Sequence, residues 1–288
     1  MSNVRRYKRN IGDKVFAAAT RGALGLCFAI LTFLIGAIIW QGGKAISLEF
    51  LLMPAQDFGA SGGIFYQIVG SLLLVIVAAV LVLPFAVGTA LYRSEYVSSA
   101  RRKRLIDLAL YSLNAIPSVT YGVFGLILFV NIFGTGISWF VGSIILAMMM
   151  LPTVTITAYQ SMQAISDDYR ENAAALGLTR AQQIRSVILP QSLHGIVTGL
   201  LIGLARAIGE TAPIMFIATA FSGVSVPRSL LEPVASLPTH ILALAQQATN
   251  PDALRNAWGA SLTLIMLVML FSMMAYYARF KLMTFSRK

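Results

Sequence analysis

The sequence predicts an all-α, polytopic membrane protein with six transmembrane helices, on three observations. Long stretches carry no charge, and each holds at least a bilayer's length of mostly apolar residues. The basic residues lie between those stretches, mostly on one side. A polar, helix-forming insert at residues 161–191 interrupts the apolar pattern. Composition agrees: the 288 residues are 57% hydrophobic and 11% charged, where a soluble domain carries about 25% charged residues.

A basic tail, residues 1–21, precedes a first span at 22–41, bounded by Arg21 and Lys44. Its apolar run exceeds the ~7–15 residues of a signal-peptide core and no small-x-small cleavage site follows, so an uncleaved span is expected. The second span, 66–92, ends at Arg93. Residues 108–166 are free of charge, too long a run for one span of about 20 residues. Gly134-Thr135-Gly136 divides it into spans 108–132 and 138–160. After the insert at 161–191 comes a fifth span, 192–221, whose only charged residues are Arg206 and Glu210. A sixth span, 257–279, completes a transmembrane domain at 22–280, and a short tail, 281–288, follows.

Six spans place both termini on one side. The N-terminal tail holds Arg5, Arg6, Lys8, Arg9, Lys14 and Arg21; the second connection holds Arg93 and Arg101 to Arg104. The insert holds Arg170, Arg180 and Arg185, and the C-terminus holds Arg279, Lys281, Arg287 and Lys288. The opposite side has Lys44, Arg228 and Arg255. Both termini and the insert are therefore expected in the cytoplasm. The net charge of +11 follows from this topology and is no sign of nucleic-acid binding.

Several chemistries are excluded. The single cysteine, Cys27, lies in an apolar segment and cannot form an intrachain disulfide. His194 and His240 have no partners at metal-ligand spacing, so no metal site is expected. Gly43-Lys44 is followed by Ala45 and lacks the P-loop spacing, so the chain is not expected to hydrolyse ATP. No nucleophile–base pair marks an enzyme. Uphill transport by this chain would need energy from another subunit.

Arg206 and Glu210 lie four residues apart and share a helix face. Arg206 is 14 residues beyond Ser192, or ~21 Å along a helix axis, near or past the middle of the hydrocarbon. A lone charge there costs about 3 kcal/mol on insertion scales. Two readings fit: an anion contact neutralised by Glu210 when the path is empty, or a structural ion pair joining helices. In the third span Pro117 is expected to bend the helix, while Gly122 and Gly125 admit a close neighbour. Pro152 opens a run of alternating hydroxyls in the fourth span, suited either to satisfying a kinked backbone or to lining a hydrated path.

The insert reads as helix, turn, helix. Asp168 with Glu171 and Thr179 with Gln182 have capping-box spacing; Gly177 would end the first helix and Pro190 would follow the second. Glu171, Ala173, Ala174 and Gly177, followed by Val187-Ile188-Leu189-Pro190, resemble the EAA loop of ABC-importer permeases, with Asn172 and Val187 as departures. On the residues alone, an amphipathic hairpin lying on the membrane surface remains open. Three further stretches, IPSVTYGVFG at 116–125, RAIGETAP at 206–213 and EPVASLPTHI at 232–241, are similar to phosphate permeases of PstA type.

The resemblance implies a type I ABC-importer permease fold of the MetI-like class in a bacterial inner membrane. It implies a heterodimer with a second related permease, two copies of an ATPase subunit that bring ATP and magnesium, and an extracytoplasmic phosphate-binding protein. This chain would carry no cofactor and would touch membrane lipid. Arg206, Glu210 and Thr211 would line the phosphate path. Arg170, Glu171, Ala173, Ala174, Gly177 and Pro190 would serve ATPase coupling, with Arg170 at the cytoplasmic surface suited to docking. Another oxyanion such as sulfate or molybdate, or a scaffold role in phosphate sensing, are the alternatives.

Overall fold

A computed structural model describes residues 2–220 and 226–285. The first helix, α1 (Ser2–Gly43), leaves the most apolar part of its Phe16–Gly43 stretch wholly unburied. A short helix, α2 (Leu48–Leu52), leads to a small antiparallel hairpin of β1 (Ala55–Gln56) and β2 (Ser61–Gly62). Then α3 (Phe65–Leu91) ends in a wider π turn at Tyr92–Tyr96. Next come α4 (Ala100–Ala115), α5 (Ser118–Gly125) with a π-helical extension to Ile132, and α6 (Trp139–Gln163). The polar insert forms α7 (Asp167–Ala175) and α8 (Arg180–Gln183), and α8 continues through a π turn at Ile184–Ile188 into α9 (Leu189–Ile208). The chain closes with α10 (Ala212–Ile217), α11 (Leu237–Ala245) and α12 (Pro251–Phe285).

Among the described residues five helices are long and apolar enough to cross a membrane, and a sixth span exists if α4 and α5 are counted as one bent pair. Residue 221 at the end of the fifth expected span, and residues 286–288 of the expected tail 281–288, lie outside the described residues.

The core is the contact of α3, α6 and α9 around Leu74, Ala78, Ile145, Met150, Val154 and Ala207. Hydrocarbon supplies no hydrophobic drive between helices, so this contact depends on close packing. Gly195, Gly199 and Gly203 recur every fourth residue on α9 and face Ser161, Thr157, and Met150 with Val154, all on α6. A Cβ at Gly199 would lie 2.8 Å from the Thr157 Cβ, so the interface admits no larger residue there. Gly42 of α1 meets α12 as closely: its Cβ would lie 2.6 Å from the Trp258 carbonyl oxygen.

Two expected spans are broken. In the third, Ile116 and Pro117 are extended, and α4 meets α5 at 90°. Pro117 has no N–H and disfavours a helical residue before it, so the expected bend becomes a full corner. The Tyr121 hydroxyl donates to the freed Leu113 carbonyl at 2.9 Å. In the fifth, α9 stops at Ile208 and α10 starts at Ala212. Pro213 cannot donate to the Gly209 carbonyl and sits in the first turn of α10, where no N–H is needed.

Two prolines depart from their expected roles, and one glycine keeps its own. Pro152 lies inside an unbroken α6, and the buried Thr155 hydroxyl near it has no partner among the described residues. Gly122 lies inside α5 without kinking it and admits a close neighbour as expected: α10 approaches, where a Cβ would lie 2.7 Å from the Pro213 Cα. Pro190 does not follow a helix end, because Arg180–Ile208 is one span and the π turn just before Pro190 absorbs its missing N–H. The glycine break at 134–136 is present, with Gly134 and Gly136 at φ 66° and 71°.

At the end of the molecule away from α7, α11 covers the start of α3. Leu237 N donates to the Ser71 hydroxyl at 2.8 Å, and Gln67 Nε2 lies 3.5 Å from His240 Nδ1. Burial pushes the His240 imidazole down to about 4, so it is neutral at neutral pH. The nine residues of α11 are too few to span, which is why hydropathy left them in a loop.

Candidate functional site

The two breaks meet. Gly122 on α5 packs against Ala212 and Pro213 of α10, which brings the corner at 116–117 beside the gap at 209–211. Irregular backbone at membrane depth is tolerated only where protein buries it or a water-filled cavity reaches it. Arg206 projects from the last turn of α9 into this region. Its Nε donates to Glu210 Oε1 at 3.5 Å, and its Nη1 donates to Asn114 Oδ1 at 3.3 Å. The Thr153 hydroxyl on α6 donates to the same Asn114 oxygen at 3.3 Å. Four elements thus contribute to one polar cluster inside an apolar bundle.

Arg206 and Glu210 therefore do touch, as their spacing allows, although the backbone between them is no longer helical. Thr211 stands at the start of α10 and its side chain makes no capping hydrogen bond. Asn114 and Thr153 were not expected as partners of Arg206. Each was visible only as a polar residue beside a proline, three residues before Pro117 and one after Pro152.

The contacts of the cluster are long for charge-assisted hydrogen bonds, which run about 2.7–2.9 Å. The carboxyl end of α9 and the Glu210 carboxylate both offset the guanidinium charge. The result is a half-buried cation that is loosely held. It suits a transient anion contact better than a tight binding site.

The second candidate region is the hairpin. Ser166, not Asp168, caps α7, with its hydroxyl accepting from Asp168 N at 3.4 Å. A serine one position before two aspartates can cap the helix while both acids sit in the first turn, at the favourable end of the dipole. The Thr179–Gln182 capping box is complete. Gly177 has φ 75°; Gly177 N donates to Ala174 O and Leu178 N to Ala173 O, a Schellman end to α7. Nothing crowds a Cβ at Gly177, so its conformation and not space requires glycine.

The hairpin exposes Glu171, Asn172 and Ala174, and beyond them Leu176, which is 81% exposed. Ala173 is buried. Arg170 turns inward instead. Its guanidinium donates to the Ile165 and Met162 carbonyls at the end of α6 at 2.7 and 2.9 Å, and to Asp167 and Glu95 at 3.2 Å each. Arg180 adds a bond to the Glu95 carbonyl at 3.3 Å. Glu95, on the π turn after α3, therefore holds both arms of the hairpin.

Behind this joint, Arg93 makes a bidentate pair with Asp107 at 2.8 and 2.9 Å, donates to the Tyr159 hydroxyl at 3.1 Å and lies over its ring. In the sequence, the segment from Arg93 to Arg104 stands out for its positive charge alone. The acids inside it, Glu95 and Asp107 just beyond, were the missed signal.

Comparison with known proteins gives a consistent result. Residues 83–282 match the family model of the binding-protein-dependent transport system inner membrane component. The protein from Methanocaldococcus jannaschii named "Probable phosphate transport system permease protein PstA" is 34% identical over 90% of this chain and 90% of its own. The "Probable ABC transporter permease protein YqgI" of Bacillus subtilis is 29% identical over 93% of this chain and 95% of its own. Among solved structures, a bacterial alginate ABC transporter in complex with its alginate-bound periplasmic protein aligns with a TM-score of 0.63 at 18% identity, covering 88% of this chain and 91% of that one. The MetNI methionine ABC transporter aligns with a TM-score of 0.57 at 18% identity, covering 76% and 94%. The fold is thus that of MetI-type importer permeases, and the chain belongs to the binding-protein-dependent transport system inner membrane component family as the membrane-spanning permease subunit of an ABC importer.

Proposed function

We propose that this permease carries inorganic phosphate across the bacterial inner membrane, with both termini and the α7–α8 hairpin in the cytoplasm. The observation that carries the reading is Arg206 at the meeting of two broken spans, a loosely paired cation in an otherwise apolar bundle. Phosphate near neutral pH bears one to two negative charges, and a guanidinium offers it paired donors. Relatives named as phosphate transport permeases support the choice of anion.

Arg206, Glu210 and Thr211 act in the path. Glu210 neutralises the cation between passages, so the contact stays weak and release is not hindered. The exposed face of α7 around Glu171, Ala174 and Gly177 docks on a separate ATPase subunit, present in two copies, which brings ATP and magnesium. Ala173 and Arg170 set the angle of that face from behind, and Pro190 lies on the rigid continuation into the fifth span. A second, related permease completes the path, and an extracytoplasmic phosphate-binding protein supplies most of the selectivity.

The test is ATP-driven uptake of labelled phosphate by the purified complex in vesicles, with sulfate and molybdate as competitors. Uptake that only phosphate or arsenate competes away supports the reading. Uptake suppressed equally by sulfate or molybdate overturns phosphate as the cargo.

A further inference from the structure

Asn114 occupies the place of an anion. Arg206 Nη1 can only donate, so the amide atom it meets at 3.3 Å is the Asn114 oxygen. The Thr153 hydroxyl points at the same oxygen, also at 3.3 Å. That orientation turns Nδ2 away from both, and among the described residues Nδ2 has no acceptor. Asn114 sits in the last turn of α4 and is exposed toward the meeting of the two breaks. An uncharged oxygen thus fills one guanidinium donor while two amide hydrogens stand free beside it.

We propose that Asn114 is a substrate-contact residue and a neutral stand-in for the transported oxyanion. This rests on the reading of Arg206 as the anion contact. With the path empty, the Asn114 oxygen satisfies Arg206 Nη1. When an oxyanion arrives, the guanidinium exchanges that long bond to a neutral oxygen for one to a charged oxygen, and Asn114 Nδ2 donates to an anion oxygen. The exchange is reversible because the amide carries no charge. A carboxylate at the same position would keep both hydrogen bonds seen here, strengthen them, and hold the cation against the anion.

That difference separates a contact role from a packing role. A packing role requires that Asn114→Asp, near-identical in shape and with both acceptor bonds retained, outperform Asn114→Ala. A stand-in role requires the reverse. The experiment is ATP-driven uptake of labelled phosphate by the whole reconstituted complex, with the melting temperature of each complex measured alongside. Expected for Asn114→Ala is a loss of roughly two- to tenfold, the worth of one hydrogen bond. Expected for Asn114→Asp is a further loss of about tenfold, from like charge facing the anion, with an unchanged or raised melting temperature. Asn114→Leu, of similar volume, serves if the Asp variant fails to assemble, and should transport several-fold more slowly than the parent. Asp at or above Ala, or Leu equal to the parent, overturns the proposal. Arg206→Ala in the same assay separates the two levels. If it transports normally the path reading itself fails; if it is inactive while Asp exceeds Ala, only the role of Asn114 fails.

Discussion

Two arginine clusters in this chain use the same chemistry to opposite ends. Arg93 is held by a bidentate carboxylate at 2.8 and 2.9 Å, an aromatic ring and a phenol, and its side chain is 5% exposed. Arg206 has one carboxylate at 3.5 Å and one amide at 3.3 Å, and its side chain is 37% exposed. The first lies at the hairpin end of the bundle, where the end of α3, α4 and α6 meet. The second lies where two spans lose their helical backbone. A tight pair fixes geometry. A loose pair leaves its donors available to something else.

The largest effect expected is on the tight cluster. Arg93→Ala leaves Asp107 unpaired at a partly buried site and removes the anchor of the π turn. Breaking such a pair costs about 3 kcal/mol, so the complex should unfold at visibly lower temperature or assemble poorly. Thermal melting in detergent measures this. An unshifted melting point would remove the distinction between the clusters.

A smaller effect is expected at the hairpin. Arg170→Ala gives up the bonds to Met162, Ile165, Asp167 and Glu95, and so frees α7 from the ends of α3 and α6. The complex should still assemble, with uptake falling about tenfold for a loss near 1.4 kcal/mol, while ATP hydrolysis continues. Measuring ATP consumed per phosphate carried checks this. An unchanged ratio would show that Arg170 does not set the coupling angle.

Much of this architecture was legible in the chain. Charge-free runs located the spans because hydrocarbon forbids unpaired charge, and that rule acts on composition alone. The hairpin was legible because Thr179, Gln182 and Gly177 each act within one helical turn. The two broken spans were half legible. Pro117 and Pro213 announce a lost hydrogen bond, but whether a proline bends a helix or ends it depends on its neighbours. Tyr121, four residues past Pro117, stabilises the corner through its hydroxyl, whereas Pro152 and Pro190 pass through continuous helices. The Gly195–Gly199–Gly203 stripe went unread, although its four-residue spacing signals a close helix neighbour; only the structure shows that the neighbour is α6. The partners of Arg206 were not readable. Asn114 is 92 residues away in sequence, and only the meeting of the two corners brings it there. The same holds for Glu95 with Arg170, 75 residues apart.

The central claim is that Arg206 is a working cation and not a structural one. The direct measurement is labelled-phosphate uptake by the reconstituted Arg206→Ala complex, read beside its melting temperature. The account predicts that uptake is lost while the melting temperature stays within about 2 °C of the parent, as for a change below 1 kcal/mol in a chain of this size. Uptake at the parent rate, or a collapse of the melting temperature like that expected of Arg93→Ala, would contradict it.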